Sequence, residues 1–177
     1  MIKDRTTAYA KLVVSGKKIA GRKEYLACKR HLDDLKNKKL EYKFDVEEAE
    51  FAINFVNTLT LKDGTNLKTR GFQEFIIGSL HGWKKKRTKE RRFREAYLQV
   101  GRRNGKSFLS GAESTMFSTL LGNKDRIFCA ATKQDQANIV WDEIRNFIES
   151  DSDLSELYKI KEHDRTIKSL ATGTVIR

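Results

Sequence analysis

One stretch of the sequence constrains the fold more than any other. Residues 95–100 are alternately apolar, and they lead into the loop VGRRNGKS (residues 100–107) and then into a helical pattern. Strand, loop and helix in this order are typical of a phosphate-binding P-loop, because loop N–H groups and the helix dipole both favour an anion. Gly105 allows close backbone approach, Lys106 is placed to reach the outer phosphates, and the Ser107 hydroxyl is placed to bind Mg²⁺. The sequence therefore predicts a nucleotide site.

The loop departs from the strict P-loop pattern at its first position, where Val100 replaces glycine and Gly101 follows one place later. A basic surface turn that ends in a chance GKS is the alternative interpretation. The nucleotide-binding prediction covers the whole loop: Val100, Gly101, Arg102, Arg103, Asn104, Gly105, Lys106 and Ser107.

The composition limits the other classes of protein. The chain has 177 residues with 38% hydrophobic content, which suits one core, or one domain with an appendage. It has no long uncharged apolar run, which argues against a membrane span, and its first ten residues carry charges where a signal peptide is apolar. Cys28 and Cys129 lie far apart without CxxC spacing, so we expect reduced thiols in a cytoplasm and no zinc site.

The formal net charge is +12, which favours a polyanionic partner such as nucleic acid. Eleven of the basic residues lie between positions 84 and 106. We predict an exposed basic loop over residues 84–94, directly before the phosphate loop, with DNA-binding candidates Lys84, Lys85, Lys86, Arg87 and Lys89. A solvated charged loop without a partner is the alternative, because runs of charge usually serve solubility alone.

Apolar periodicity predicts several helices. They cover residues 5–14, 22–35, 46–58 (after a capping box of Asp45 and Glu48), 71–83, 108–121 (ending at Gly122), 133–150 and, as a short helix, 151–158. Strands are expected at 95–100 and 126–131, the second buried and parallel with Cys129 as a core residue, and residues 166–170 and 174–177 suggest a hairpin.

NIVWDEI (residues 138–144) imitates a Walker B strand, which would offer Asp142 to Mg²⁺ and Glu143 to the attacking water. The apolar residues on both sides of this pair keep helical spacing, so we predict a helix with Asp142 and Glu143 on its polar face. No other strand offers such an acid.

These motifs together resemble the N-terminal part of the large terminase subunit of tailed bacteriophages, the ATPase that drives DNA into the procapsid. The resemblance runs through residues 15–35, GFQEFIIGSLHGW (71–83), RRFREAYLQVGRRNGKS (91–107) and CAATKQDQANIVWDEI (129–144). Large terminases commonly depart from the strict P-loop pattern at its first position, as Val100 does. The resemblance implies an α/β fold: an incomplete P-loop NTPase core of the ASCE type with parallel strands, preceded by an N-terminal helical region.

The resemblance also implies roles for residues. Lys106 and Ser107 correspond to the groups that bind phosphate and Mg²⁺ in an ATP site. Gln73 resembles the glutamine that recognises adenine, although the sequence alone favours a solvent-facing helix residue there. Arg102 corresponds to an arginine assigned in some terminases as an arginine finger within its own subunit, whereas other terminases place the finger on a neighbouring subunit.

The family's Walker B acid, coupling motif and nuclease domain have no counterpart in this chain. We therefore expect a fragment with a helical lead at residues 1–70 and a truncated ATPase domain at 71–177, which binds nucleotide weakly and hydrolyses it poorly. The implied partners are double-stranded DNA, the small terminase subunit, the portal and the procapsid. The implied assembly is a homo-oligomeric ring, and the implied location is the cytoplasm of the bacterial host.

Two rival functions stay open on the sequence. One is a different P-loop ATPase or a small nucleotide kinase, which would need a complete sheet and an acceptor site. The other is a basic DNA-binding or assembly module without catalysis, whose DNA affinity would fall steeply with salt and would not depend on Lys106.

Overall fold

A computed structural model describes residues 3–177, which form two compact units. The first unit contains residues up to Asn54 together with Lys68–Tyr97, and the second contains Phe55–Leu67 and Leu98–Arg177. The helices are α1 (Arg5–Val14), α2 (Arg22–Lys36), α3 (Val46–Thr58), α4 (Gly71–Gly82), α5 (Lys106–Met116), α6 (Gln134–Glu149) and α7 (Ser152–Glu156). The strands are β1 (Tyr42–Phe44), β2 (Trp83–Lys85), β3 (Arg126–Ile127), β4 (Tyr158–Lys161), β5 (Thr166–Ser169) and β6 (Val175–Ile176).

The predicted helices are confirmed, with shifts at their ends. Local signals explain these bounds: the Asp4 carboxylate accepts a hydrogen bond from the Thr7 N–H (2.8 Å) at the start of α1, and Asp45 accepts one from the Glu48 N–H (3.3 Å) at the start of α3. Helix α5 begins at Lys106 and continues as a π-helical turn, Phe117–Leu121, before Gly122 ends it. The predicted helix at 151–158 is shorter, because Tyr158 already belongs to β4.

The first unit is built around α1, which packs against α2 and α4. Its core contains the buried residues Tyr9, Ala10, Val13, Cys28 and Phe75. Strand β1 pairs with β2 in antiparallel fashion. Lys84 and Lys85 therefore belong to a strand, and the prediction of an exposed loop over all of residues 84–94 is wrong at its beginning, because Trp83 is buried and anchors β2 in the core.

The second unit contains a four-stranded sheet in the order β3-β6-β5-β4. β3 pairs with β6 in parallel, whereas β5 pairs with β6 and β4 in antiparallel fashion, which confirms the predicted hairpin. α6 packs on the sheet and against α5, and the resulting core contains Trp141, Ile144, Ile148, Tyr158, Ile167 and Ile176. The Tyr158 hydroxyl forms hydrogen bonds of 2.7 Å with Ser118 and Thr119, which ties the π-helical turn to the sheet.

Two strand predictions need correction. Residues 95–100 form no strand, because no other strand pairs with them in the described chain, and Tyr97 is 85% exposed. The run at 126–131 is parallel to its neighbour as predicted, but only two of its residues form β3 and they lie at the edge of the sheet. Phe128 is consequently 66% exposed and Cys129 is only partly buried. No helix in residues 3–177 is long and apolar enough to cross a membrane.

Candidate nucleotide-binding site

The loop before α5 has a conformation that is unusual for ordinary residues. Gly105 caps α5 in the left-handed region (φ 72°, ψ 26°), where a residue without Cβ is favoured, and Arg103 also has a positive φ of 63°. The Asn104 side-chain amide donates hydrogen bonds to the carbonyls of Gly101 (3.3 Å) and Arg102 (3.1 Å). A loop that alternates between right- and left-handed residues turns successive N–H groups toward one concave side, so this loop has the geometry of an anion-binding nest.

A cavity of about 300 Å³ lies against this loop. Its lining residues are Gly101, Arg102, Arg103, Gly105, Lys106, Ser107, Phe108, Ile139 and Glu143. Val100 and Asn104 are absent from that lining. The structure therefore brings together six of the eight predicted loop residues around the cavity. The volume is at the lower end of the roughly 300–1,000 Å³ of small-molecule sites.

The chemistry of the lining fits a nucleotide bound with Mg²⁺. Arg102, Arg103 and Lys106 supply three positive side chains, and the first turn of α5 supplies backbone N–H groups without intrahelical acceptors. The Ser107 hydroxyl and the Glu143 carboxylate are oxygen donors of the kind that Mg²⁺ prefers. Residues 3–177 contain no group of three or more His, Cys, Asp or Glu that could hold a metal alone, so phosphate oxygens and water would have to complete the coordination.

The structure confirms that residues 138–144 belong to a helix, α6, and not to a Walker B strand. Asp142 lies on the polar side, where its carboxylate accepts a hydrogen bond of 2.9 Å from Arg165. Glu143, in contrast, lines the cavity beside the phosphate loop, although the apolar spacing predicted that it would share the polar face with Asp142. Burial raises the pKa of the Glu143 carboxyl, Lys62 lowers it through its positive charge, and Asp142 raises it further.

The position of Glu143 depends on the packing of α6 against α5. A Cβ added at Gly111 of α5 would lie 2.9 Å from the Glu143 Cβ, so glycine at that position lets the two helices approach closely. Phe108 and Phe147 pack edge to face in the same contact, with ring centroids 5.0 Å apart. Gly111, a small residue one helical turn after Ser107, is the feature of the sequence that indicates a close helix contact at this point.

Gln73 belongs to the first unit and is 8% exposed. The expectation of a solvent-facing residue is wrong, because the Gln73 Oε1 accepts a hydrogen bond of 2.8 Å from the Arg70 N–H and so caps α4. The Gln73 amide NH₂ is the part of the side chain that could still serve adenine recognition, and that role stays a prediction.

The basic residues proposed to bind DNA divide into two groups. Lys84 forms an ion pair of 2.7 Å with Glu48, Lys85 lies 3.9 Å from Glu41, and the Lys86 ammonium donates to the Lys38 carbonyl at 3.2 Å. Arg87 and Lys89 are exposed, and neither forms an ion pair among residues 3–177. The pKa of Lys89 is lowered, mainly by the neighbouring Lys43, so two positive charges lie close together here.

Comparisons with known proteins found a matching family and a similar structure. A family model described as the ATPase domain of the terminase large subunit matches residues 71–177, which include the phosphate loop, α5 and α6. No curated protein matches the chain. Among solved structures, the crystal structure of the HK97 bacteriophage large terminase is similar with a TM-score of 0.63 and 18% sequence identity, over 73% of this chain and 26% of that one. The present chain thus spans about a quarter of the length of that terminase, and the likeness shows a common fold. Because the family model matches more than half of the chain, the protein belongs to the terminase large subunit family and carries residues of its ATPase domain.

Proposed function

We propose that this chain binds ATP with Mg²⁺ at the loop of residues 101–107, as the nucleotide-binding part of a phage DNA-packaging motor. The observation that carries the proposal is the cavity at the N-terminus of α5, which three cationic side chains and a left-handed Gly105 border. A triphosphate is the ligand that best matches this concentration of positive charge and N–H donors.

Each loop residue has a distinct role in this proposal. Asn104 holds the loop closed through its two bonds to Gly101 and Arg102, so the N–H groups are oriented before the ligand arrives. Lys106 contributes a positive charge to the outer phosphates, and Ser107 offers its hydroxyl to the metal ion. Mg²⁺, when bound, would neutralise phosphate charge and polarise the terminal phosphoryl group.

Two further roles rest on the family resemblance. Arg102 lines the cavity and is exposed, which is compatible with a finger that stabilises transferring phosphate. A working finger accelerates the reaction by about 10³ to 10⁵, or roughly 4–7 kcal/mol. Gln73 is proposed as the adenine-recognising residue, with its amide NH₂ as donor because its carbonyl oxygen already caps α4.

The motor function extends the proposal to the parent protein. Membership of the terminase family supports an ATPase that moves double-stranded DNA into a procapsid in the host cytoplasm, in a ring that also contacts the portal and the small terminase subunit. We propose an ASCE-type core that begins at residue 71, a nuclease domain in the parent protein, and weak hydrolysis by the 177-residue chain alone. The last point follows because residues 138–144 belong to helix α6 and not to a Walker B strand. They therefore offer no acid at the end of a strand to orient the attacking water.

Lys106→Ala tests the nucleotide site. We expect its affinity for a fluorescent ATP analogue to fall by about 10- to 100-fold, because a charge-assisted hydrogen bond contributes about 1.5–3 kcal/mol. Lys159→Ala is the matched control, since Lys159 is an exposed lysine of β4 in the same unit. Equal affinity in wild type and Lys106→Ala would refute the proposal.

The exposed cations Arg87 and Lys89 support a second candidate, a DNA-binding module without nucleotide chemistry. That candidate predicts DNA affinity that is independent of ATP and Lys106. Measurement of DNA affinity at several salt concentrations, with and without ATP, distinguishes the two functions. Only in the motor should the affinity for DNA depend on bound nucleotide.

A further inference from the structure

The four-stranded sheet of the second unit has one covered face and one open face. Successive side chains of a strand point to opposite faces, so the register of the four strands assigns every residue to one side. Helix α6 and the core lie against the side that carries Ile127, Ile167 and Ile176. The open side, which we call the basic sheet face, carries Arg126, Lys159, Lys161, Thr166, Lys168 and Val175.

The basic sheet face carries charge of one sign. Four of its six residues are cations, all four are exposed, and none of the six is acidic. The acid that follows β4, Glu162, pairs with Arg145 at 3.0 Å. The acid that precedes β3, Asp125, accepts a hydrogen bond of 2.8 Å from the Asn123 N–H. No ion pair within residues 3–177 therefore neutralises this face.

Two of these cations face each other directly. Lys159 of β4 and Lys168 of β5 are register partners, and directly opposed side chains of an antiparallel pair have Cβ atoms about 4.5–5.5 Å apart. Like charges in this arrangement destabilise a sheet. Lysines on an edge strand such as β4 discourage pairing with other chains, but Lys168 lies on β5, which has a strand on each side. Protection of an edge does not account for Lys168, whereas a bound polyanion does.

The cations extend across the whole sheet. Lys168 pairs with Val175, and Val175 pairs with Arg126. With Lys159 opposite Lys168, three cations lie on one row that crosses all four strands. Neighbouring strands are about 4.8 Å apart, which places Lys159 and Arg126 about 14 Å from each other. Because the major groove of DNA is about 12 Å wide, the two ends of the row can reach the two phosphate backbones that border one groove.

The chemistry of the face fits nucleic acid better than a protein surface. Its only apolar member among the six residues is the partly buried Val175, whereas protein interfaces depend on a buried core of aromatic and aliphatic side chains. Protein–DNA interfaces are more polar and much more positively charged. Double-stranded DNA is therefore the partner that matches the basic sheet face.

We propose that the basic sheet face binds the phosphate backbone of double-stranded DNA, with Arg126, Lys159 and Lys168 as the contacting residues. The choice of DNA rests on the proposed motor function, whereas the site rests on the register and the charge of the sheet. Its residues lie outside the lining of the nucleotide cavity, so they take no part in ATP binding measured without DNA. The site adds to Arg87 and Lys89, which belong to the first unit.

The test measures the affinity for a fluorescein-labelled DNA duplex by anisotropy at several salt concentrations. The sheet-face variant, with Arg126→Gln, Lys159→Gln and Lys168→Gln, removes three charges and keeps extended polar side chains. We expect the slope of log affinity against log salt to fall by about 2–3, because each phosphate contact contributes about 0.9. The loss should be the same for duplexes of different sequence, because contacts to phosphate carry no sequence information.

A matched control separates the surface from the net charge. Lys17→Gln, Lys23→Gln and Lys36→Gln together lower the net charge by the same amount, at exposed lysines of the first unit. We expect the slope of this control variant to change by less than about 1. Melting curves report whether the variants are folded. Lys168→Thr, with a residue that favours strands, tests the site by a single substitution and should lower the slope by about 0.9.

Several outcomes would overturn the proposal. If wild type binds the duplex and the sheet-face variant has the same slope, the motor proposal stands and the basic sheet face fails. Equal losses in the sheet-face and control variants would show an effect of net charge alone. If the sheet-face substitutions weaken binding of poly-L-glutamate and leave DNA affinity unchanged, the face binds an acidic protein segment instead. Absence of duplex binding in wild type would refute the motor proposal as well.

Discussion

The indole Nε1 of Trp83 donates a hydrogen bond of 3.0 Å to Nδ1 of His31, and the Nε2 of His31 lies 2.9 Å from the hydroxyl of Thr7. Because Nδ1 accepts, Nε2 carries the proton and donates to Thr7, and the ring is neutral. Phe44 and Phe75 pack edge to face against the same ring. The histidine thus joins β2 to α1 and α2 as an uncharged member of the core.

The burial of His31 makes the stability of the first unit dependent on pH. Burial lowers the pKa of His31 from 6.5 to about 4, so the unfolded chain takes up the proton first as the pH falls. The contribution of His31 to the free energy of unfolding is fully present above the unfolded pKa. As the pH falls from about 6.5 to about 4, about 3 kcal/mol of that contribution is lost. Urea unfolding of wild type and His31→Gln at several pH values, followed by Trp83 fluorescence in a Trp141→Phe background, measures the difference. The same pH dependence in both would contradict the assignment.

Asn104 is predicted to matter for binding and not for folding. Its amide bridges two loop carbonyls in an exposed segment, so Asn104→Ala should leave the thermal midpoint nearly unchanged. The loop loses its preformed shape, and affinity for the ATP analogue should fall by about 3- to 10-fold, which corresponds to roughly one hydrogen bond. Calorimetric titration gives the affinity, and a melting curve provides the control. A large loss of stability would show that the bridge supports the fold instead.

Gly111→Ala tests the helix contact on which the Glu143 position depends. The new Cβ would lie 2.9 Å from the Glu143 Cβ and 3.4 Å from the Phe147 ring, which forces α5 and α6 apart. We expect a loss of about 1–3 kcal/mol in the free energy of unfolding and weaker nucleotide binding. Ser110→Ala, at an exposed position on the same helix, should change stability by less than about 0.5 kcal/mol. Comparable losses in both variants would argue against a close contact at residue 111.

The basic residues near β2 differ in whether acidic neighbours pair with them, and this difference predicts which of them contact DNA. Replacement of both Arg87 and Lys89 by alanine should reduce the slope of log affinity against log salt by about 2, because each phosphate contact contributes nearly one unit. Replacement of Lys84 and Lys85, which lie beside Glu48 and Glu41, should reduce it less. Fluorescence anisotropy with double-stranded DNA at several salt concentrations distinguishes the pairs, and equal slopes for both double variants would contradict the division.

The helices could be predicted from the sequence because the apolar spacing that indicates a helix lies within the segment itself. The apolar period of α6 predicted a helix through Asp142 and Glu143 despite the Walker B likeness. Strands depend on distant partners. Residues 95–100 alternate as a strand would, but no strand within residues 3–177 pairs with them, whereas Tyr42 pairs with Lys85 without a clear local pattern. The cavity shows the same limit. The motif identified the loop, but the turn of Glu143 toward it depends on how α6 packs across Gly111, which periodicity does not encode.

The parallel pair of β3 and β6 has a consequence for how the protein is made. Ile176 is fully buried in the sheet between β3 and β5, and it pairs with Ile127. A chain that leaves the ribosome from its N-terminus has released every residue of the first unit long before Ile176 appears. The nascent first unit can therefore fold during synthesis, whereas the helices behind the phosphate loop gain their supporting sheet only when translation has passed residue 176.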